Sequence, residues 1–217
     1  RGGLIKPIQS GVYEVNKAMT EELKVAARGE HASNLGALIA ENIASNLPNA
    51  KAYIADPVVV DEMQEVARIA GHPEFERVSI FHALNQKSIA RQYAKSLDKK
   101  YEELNLIVAH LGGGISVGAH QMGRVIDVNN ALDGEGPFSP ERAGTVPAGQ
   151  LAKLCFSGEY SYDEIKRMIT GKGGFVAHAG TNNAYDIEVK AKAGDKKMQL
   201  LQDAMSYNIA KYIGEMA

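Results

Sequence analysis

Hydrophobic and polar positions are most sharply patterned between residues 106 and 128. Leu106-Ile-Val-Ala109 is a short unbroken apolar run with β-branched residues at its centre, which predicts a buried strand. Ile115-Ser-Val-Gly-Ala119 and Arg124-Val-Ile-Asp-Val128 alternate and predict the next two strands, joined by a turn at Met122-Gly123. Elsewhere the spacing is helical. Leu35, Leu38, Ile39, Asn42 and Ile43 share one face of a predicted helix capped by Ser33 or Asn34. Val59, Met63, Val66 and Ile69 predict a helix over 58–70, and further helices are expected up to Leu97, over 148–156, over 162–168 behind Ser161, and over 198–216. A shorter helix over 20–28 would take Thr20 as its N-cap and carry Glu21 and Glu22 in its first turn, where the macrodipole favours them. Lys51 to Ala55 reads as a short strand, and Pro57 restrains Asp56 behind it to an extended backbone.

The chemistry is concentrated after the first of the three central strands. His110 and Leu111 are followed by Gly112, Gly113 and Gly114. A tight turn needs one or two residues of positive φ, so a third glycine points to something that approaches the backbone closely. Consecutive bare N–H groups in a turn favour an anion, phosphate above all. An ordinary glycine hairpin is the alternative. Residues 129–147 form a long loop with three prolines, three glycines and one base, Arg142; unstructured stretches of this length inside a domain usually carry function. Asp56 lies at a strand end, a position that suits either an α/β site or a helix cap. His31 precedes a helix and His82 follows an aromatic residue. Gly171-Lys-Gly-Gly174 is a second glycine cluster, but no Gly-x-x-x-x-Gly-Lys-[Ser/Thr] pattern occurs, which argues against a P-loop NTPase.

Composition narrows the field. The chain has 217 residues, 45% of them hydrophobic, enough for a proper core in one large or two small domains. With 24 Lys and Arg against 26 Asp and Glu, the net charge of -2 gives no bulk electrostatic case for nucleic acid or an anionic membrane. No apolar run approaches the length of a bilayer span. The single cysteine, Cys155, sits in an amphipathic run, reads as core packing and suits a reducing cytosol. No Cys/His cluster has zinc spacing, and no Gly-x-Ser-x-Gly elbow supports a serine hydrolase. The chain opens on Arg1-Gly-Gly without a leader pattern, and its last helical pattern stops without a Gly or Pro exit. The expectation is an internal piece of a longer protein.

Ile107-Val-Ala-His110-Leu-Gly-Gly-Gly-Ile-Ser-Val-Gly118, together with Asp127-Val-Asn-Asn-Ala-Leu-Asp-Gly-Glu-Gly-Pro-Phe-Ser-Pro-Glu-Arg142-Ala-Gly, resembles the acetokinase family, its butyrate kinase branch most closely. Acetate kinases have Asn where this chain has Gly113, and a Thr-Arg-Ser-Gly context where it has Glu141-Arg142-Ala-Gly. The resemblance implies an α/β, actin-like ATPase (ribonuclease H-like) fold: parts of two α/β domains with mixed sheets flanked by helices. Residues 1–56 would be the later part of domain I and 57–217 most of domain II. It implies ATP/ADP and Mg²⁺ as cofactors, a short-chain carboxylate such as butyrate or its acyl phosphate as substrate, a cytoplasmic location, no nucleic-acid or membrane partner, and a homo-oligomer formed through domain II.

By the same resemblance, each role falls on a position of this chain. Arg1 would face the acyl carboxylate or phosphoryl group, with Arg142 as its partner from domain II. His110 would hydrogen-bond the phosphoryl group in flight, and Gly112, Gly113 and Gly114 would hold the nucleotide phosphates. Asp56 would be the acid near magnesium, acting indirectly, and His82 and His31 two further active-site histidines. Phe81 would wall the acyl pocket, and Ala131 and Gly3 would enlarge it for a longer acyl chain. The reaction fits these residue types, because a carboxylate is already a nucleophile and needs no general base. The protein's task is to hold two anions in line and stabilise the charge on the phosphoryl oxygens. The 217-residue stretch alone is expected to be inactive. A nucleotide-binding regulatory or assembly module on the same fold is the alternative, separated by whether an arginine clamp for a carboxylate is present.

Overall fold

The computed structural model describes residues 2–29 and 31–217. The elements run β1 (Val12–Glu14), α1 (Lys17–Val25), α2 (Asn34–Ser45), β2 (Tyr53–Ala55), α3 (Glu65–Arg68), α4 (Ala83–Ser96), β3 (Asn105–Leu111), β4 (Ile115–Gln121) and β5 (Arg124–Val128). Five helices complete the chain: α5 (Ala148–Cys155), α6 (Tyr162–Thr170), α7 (Gly174–Ala179), α8 (Ala184–Lys192) and α9 (Lys196–Glu215). β1 and β2 pair antiparallel with Tyr13 opposite Ile54, and β3, β4 and β5 form a three-stranded sheet in that order. The chain divides into two compact units. One takes in the chain up to Leu106 together with His120–Val128; the other takes in Ile107–Ala119 and Asn129–Ala217.

The first unit is built around Val60, Phe81, Ala83, Val125 and Val128. Its local structure departs from periodicity where long-range pairing competes. Helix α1 starts earlier than Thr20: Asn16 is the cap and its side chain accepts from Met19 N, while the Thr20 hydroxyl lies buried inside the helix and donates to Lys17 O. Only Glu65–Arg68 is helical in the stretch 58–70. There Val60 N donates to Pro57 O to close a turn, Ile8 bridges to Val60 and Asp61 N donates to Ile8 O, and Val59 and Val60 are buried. Asp56 is not extended but sits at φ +38, in the left-handed region that Asp tolerates better than most residues. Helix α2 has the expected apolar stripe, yet Leu35, Ile39 and Ile43 are each more than half exposed. Its buried side is set by Asn34, which accepts from Leu4 N and donates to Gly29 O.

The second unit has its core at Phe175, Ile187, Ala191 and Met198, with Phe138 edge-on to Phe175. Ser161 caps α6 reciprocally with Glu164, Asn183 caps α8, and Asp195 caps α9 by accepting from Lys197 N and Met198 N. Cys155, expected in the core, is exposed at the last position of α5. No described helix is long and apolar enough to cross a membrane.

A polar cluster lies inside the first unit. Lys87 and Glu62 form an ion pair at 2.7 Å with side-chain exposures of 1% and 6%. Lys87 also donates to Gly123 O, and Glu62 accepts from Val125 N, so the pair ties α4 to the β4–β5 turn and to β5. Beside it, His120 Nδ1 lies 2.6 Å from the Tyr101 hydroxyl and its Nε2 2.9 Å from Gln86 Oε1. One neutral tautomer satisfies both contacts: Tyr101 donates to Nδ1, and Nε2–H donates to Gln86. Burial, reinforced by the charge of Lys87, pushes His120 from its ordinary 6.5 down to about 4.

The unfolded histidine therefore takes up a proton between pH 6.5 and 4 that the folded one refuses. This contribution to stability is complete above pH 6.5 and is lost at about 1.4 kcal/mol per pH unit as pH falls toward 4. Urea unfolding from pH 7 to 4 checks it: His120→Gln should flatten that part of the profile, and parallel profiles for variant and wild type would refute the assignment.

Candidate functional site

Strand β3 delivers His110 to its penultimate position, and the chain then bends through Gly112–Gly114 into β4, with Gly112 N donating to Gly114 O. None of the three glycines has a positive φ. They are therefore not there to relieve backbone strain. A Cβ at Gly112 would lie 3.0 Å from His110 Nε2, so the imidazole folds back over the turn and needs the missing side chain. A Cβ at Gly113 would meet the Glu141 carboxylate at an ordinary 3.7 Å. What the turn offers is bare backbone next to an imidazole, the surface on which an anion could settle.

The loop that carries Arg142 is ordered by its own hydrogen bonds and by the second unit around it. Asn129 accepts from Val117 N and donates to Ile115 O, which joins the start of the loop to β4. Asn130 turns the chain by accepting from Leu132 N and Asp133 N. Ser139, 1% exposed, donates its hydroxyl to Gly113 O at 2.6 Å and accepts from Arg142 N. The Arg142 guanidinium donates to Leu132 O at 3.2 Å, and its Nε is buried without a hydrogen-bond partner in the protein. Burial pulls the Arg142 pKa below the ordinary arginine value, and the carboxylates of Glu141 and Asp133 oppose that shift. Arg142 lines a narrow recess with Ile115, Ala131, Leu132 and Ser139. The second unit thus brings together His110, the glycine turn, Ala131 and Arg142.

The other sequence candidates lie in the first unit. Asp56 is 5% exposed, and its carboxylate is already occupied: Oδ1 accepts from the Ser10 hydroxyl and Gly11 N, and Oδ2 from Arg91 at 3.0 Å. Arg91 was not identified from the sequence, where it is one of several cations on α4; only the fold reveals that it faces Asp56. His82 occupies the N-cap position of α4, and His31 accepts from Ser33 N at the entrance to α2. Phe81 belongs to the core cluster with Val60 and Val125. Gly3 does not open a pocket: a Cβ there would overlap Asn34 Oδ1 and lie 2.5 Å from a Leu23 methyl, so neighbouring side chains already fill the space. Arg1 lies outside the described residues. Among the described residues no three His, Cys, Asp or Glu side chains converge as a metal site.

Comparison with known proteins follows the same residues. The sequence profile of the acetokinase family matches residues 76–217. Butyrate kinase 2 of Clostridium acetobutylicum is 59% identical over 217 residues, covering 100% of this chain and 61% of that protein. A probable butyrate kinase of Phocaeicola vulgatus is 61% identical over 216 residues, covering 100% of this chain and 60% of that protein. The chain thus spans about three fifths of the length of these curated relatives. Among solved structures, Porphyromonas gingivalis acetate kinase superposes with a TM-score of 0.82 at 21% identity, over 100% of this chain and 57% of that one. A propionate kinase from Francisella tularensis subsp. tularensis SCHU S4 gives 0.77 at 22%, over 97% and 58%. At such identities the likeness is one of fold, the actin-like α/β fold expected from the sequence.

The two glycines of the turn differ in what they tolerate. Gly112→Ala is predicted to displace the His110 ring and shift its imidazole resonances in proton–carbon NMR spectra, whereas Gly113→Ala should leave them near their wild-type positions. Equal effects of the two substitutions would remove the close packing of His110 on the turn.

Proposed function

The chain belongs to the acetokinase family, and we propose that the protein of which it forms a part is a carboxylate kinase acting on butyrate or a similar short acid. A carboxylate oxygen attacks the γ-phosphorus of ATP in line, the bond to the bridging oxygen breaks, and acyl phosphate and ADP leave; the reaction is reversible. The observation that carries this reading is Arg142. Its Nε is buried and unpartnered, and its backbone is bonded through Ser139 to the glycine turn. A permanently charged, planar donor at that place suits an oxyanion, whether carboxylate or phosphoryl.

In this assignment Arg142, with Arg1, neutralises the carboxylate and the phosphoryl group in flight. His110 donates to a phosphoryl oxygen, and Gly112, Gly113 and Gly114 present backbone to the nucleotide phosphates. His82 and His31 keep the active-site assignment that the family resemblance gives them. Ala131, which lines the recess beside Arg142, is assigned to the acyl pocket, and Phe81, a core residue of the first unit, keeps the pocket-wall role that the family resemblance gives it. Magnesium bound with ATP/ADP would supply neutralisation of the phosphate charge, and an ion carried on phosphates and water would need few protein ligands. Asp56 is assigned to it only indirectly, since Ser10, Gly11 and Arg91 already engage its carboxylate. Residues 1–56 are assigned to the first domain and 57–217 to the second, in a cytoplasmic homo-oligomer joined through the second.

Turnover of the full-length protein with butyrate, ATP and Mg²⁺ is measured by trapping the acyl phosphate with hydroxylamine. Arg142→Ala is expected to lower it by about 10³–10⁵, the range for phosphoryl-stabilising arginines in other transferases. Near-wild-type turnover would remove Arg142 from the reaction, and no hydroxamate from wild-type protein would overturn the carboxylate kinase reading itself.

A further inference from the structure

The second glycine cluster, Gly171-Lys-Gly-Gly174, takes no part in the phosphate turn, yet it lies directly beneath the Arg142 loop. The geometry points to a seat, formed by the α6–α7 turn and Ser139, that sets the position of Arg142 against the Gly112–Gly114 turn and makes Ser139 a positioning residue for phosphoryl transfer. The inference rests on the carboxylate kinase reading for its effect on rate, though not for its geometry.

Four backbone hydrogen bonds define the seat. Ser139 N donates to Arg142 O, closing the loop on itself. Gly173 N donates to Glu141 O, Val176 N to Pro140 O, and Ala143 N to Ile169 O, so the residues on either side of Arg142 are held by α6, α7 and the turn between them. Contact is too close for side chains. A Cβ at Gly173 would overlap Ala143 N, and one at Gly174, which sits at φ +54, would overlap the carbonyl oxygen of Ser139. Both glycines are thus explained by the approach of the Arg142 loop, with the left-handed backbone at Gly174 as a second reason. At the rim, Asn182 donates to the Glu141 carboxylate at 2.7 Å.

Ser139 is where the seat meets the phosphate turn. Its hydroxyl accepts from Arg142 N and donates to Gly113 O, so one buried group fixes the spacing between the guanidinium-bearing loop and the bend. An in-line transfer is sensitive to that spacing, since a displacement of about 1 Å can cost about 10²-fold in rate.

The test uses the full-length protein and two readouts. Ser139→Ala is expected to lower kcat about 10²-fold while KM for butyrate and ATP stays near wild type. It should also raise the rate at which phenylglyoxal modifies Arg142, followed by peptide mass spectrometry against the exposed Arg167 as internal standard. A loss of stability alone would move neither kcat per folded molecule nor that ratio. Wild-type kcat, or an unchanged Arg142/Arg167 ratio, overturns the proposal. Should Ser139→Ala fail to fold, Asn182→Ala at the exposed rim replaces it, with a faster Arg142 modification expected and an unchanged ratio overturning the seat. If the wild-type protein makes no hydroxamate, the functional reading fails separately, and the modification ratio still decides the geometry.

Discussion

One hydroxyl, that of Ser139, stands between two stretches of chain 26 residues apart. On one side is the carbonyl of Gly113, on the other the amide of Arg142. Every chemical property assigned to the second unit follows from keeping these two in register. The glycine turn alone is a concavity with no cation to balance an anion. The arginine alone is a half-buried charge whose Nε lacks a partner. Joined at a fixed spacing, they are the pair on which the proposed carboxylate kinase reading rests, with donors already in place that need not reorganise as charge moves.

The first unit solves a different electrostatic problem. Its ion pair, Lys87 with Glu62, is almost fully withdrawn from water, which is costly unless each charge also finds neutral partners. Here each does: the carbonyl of Gly123 for the ammonium and the amide of Val125 for the carboxylate. Tyr101 lies against both Lys87 and Arg91, and Arg91 in turn reaches Asp56. The cation over a ring and the clamped carboxylate connect the core of this unit to an acid that the family resemblance places near magnesium. Asp56 therefore has its orientation decided by Ser10, Gly11 and Arg91.

What could be read from the chain in advance divides along a physical line. β3, β4 and β5, the Met122-Gly123 turn and the caps at Ser161 and Asn183 depend on a few adjacent residues, and local pattern found the strands, that turn and the Ser161 cap. The periodicity of 58–70 predicts one helix, but Val59, Val60 and Met63 are buried through a turn and a single bridge to Ile8, while Val66 and Ile69 stay exposed, so local spacing alone does not decide the stretch. Asp56 was misjudged because the restriction imposed by Pro57 gave way to three hydrogen bonds on its side chain. The stripe on α2 was found, but which side is buried is decided by Asn34 reaching Leu4 and Gly29. His110, the triple glycine and Arg142 were visible as motif residues. Gly173 is visible only as part of a second glycine cluster and Ser139 is not singled out at all, since their meaning lies in contacts across the fold that no local spacing records.

The close fit at Gly174 also bears on which positions of this unit can diversify. Ala131 and Leu132 border the recess with side chains, while the floor under Arg142 admits no atom beyond the backbone. Variation in this unit has its freedom on the walls, and inheritance of the floor is the condition for exploring them.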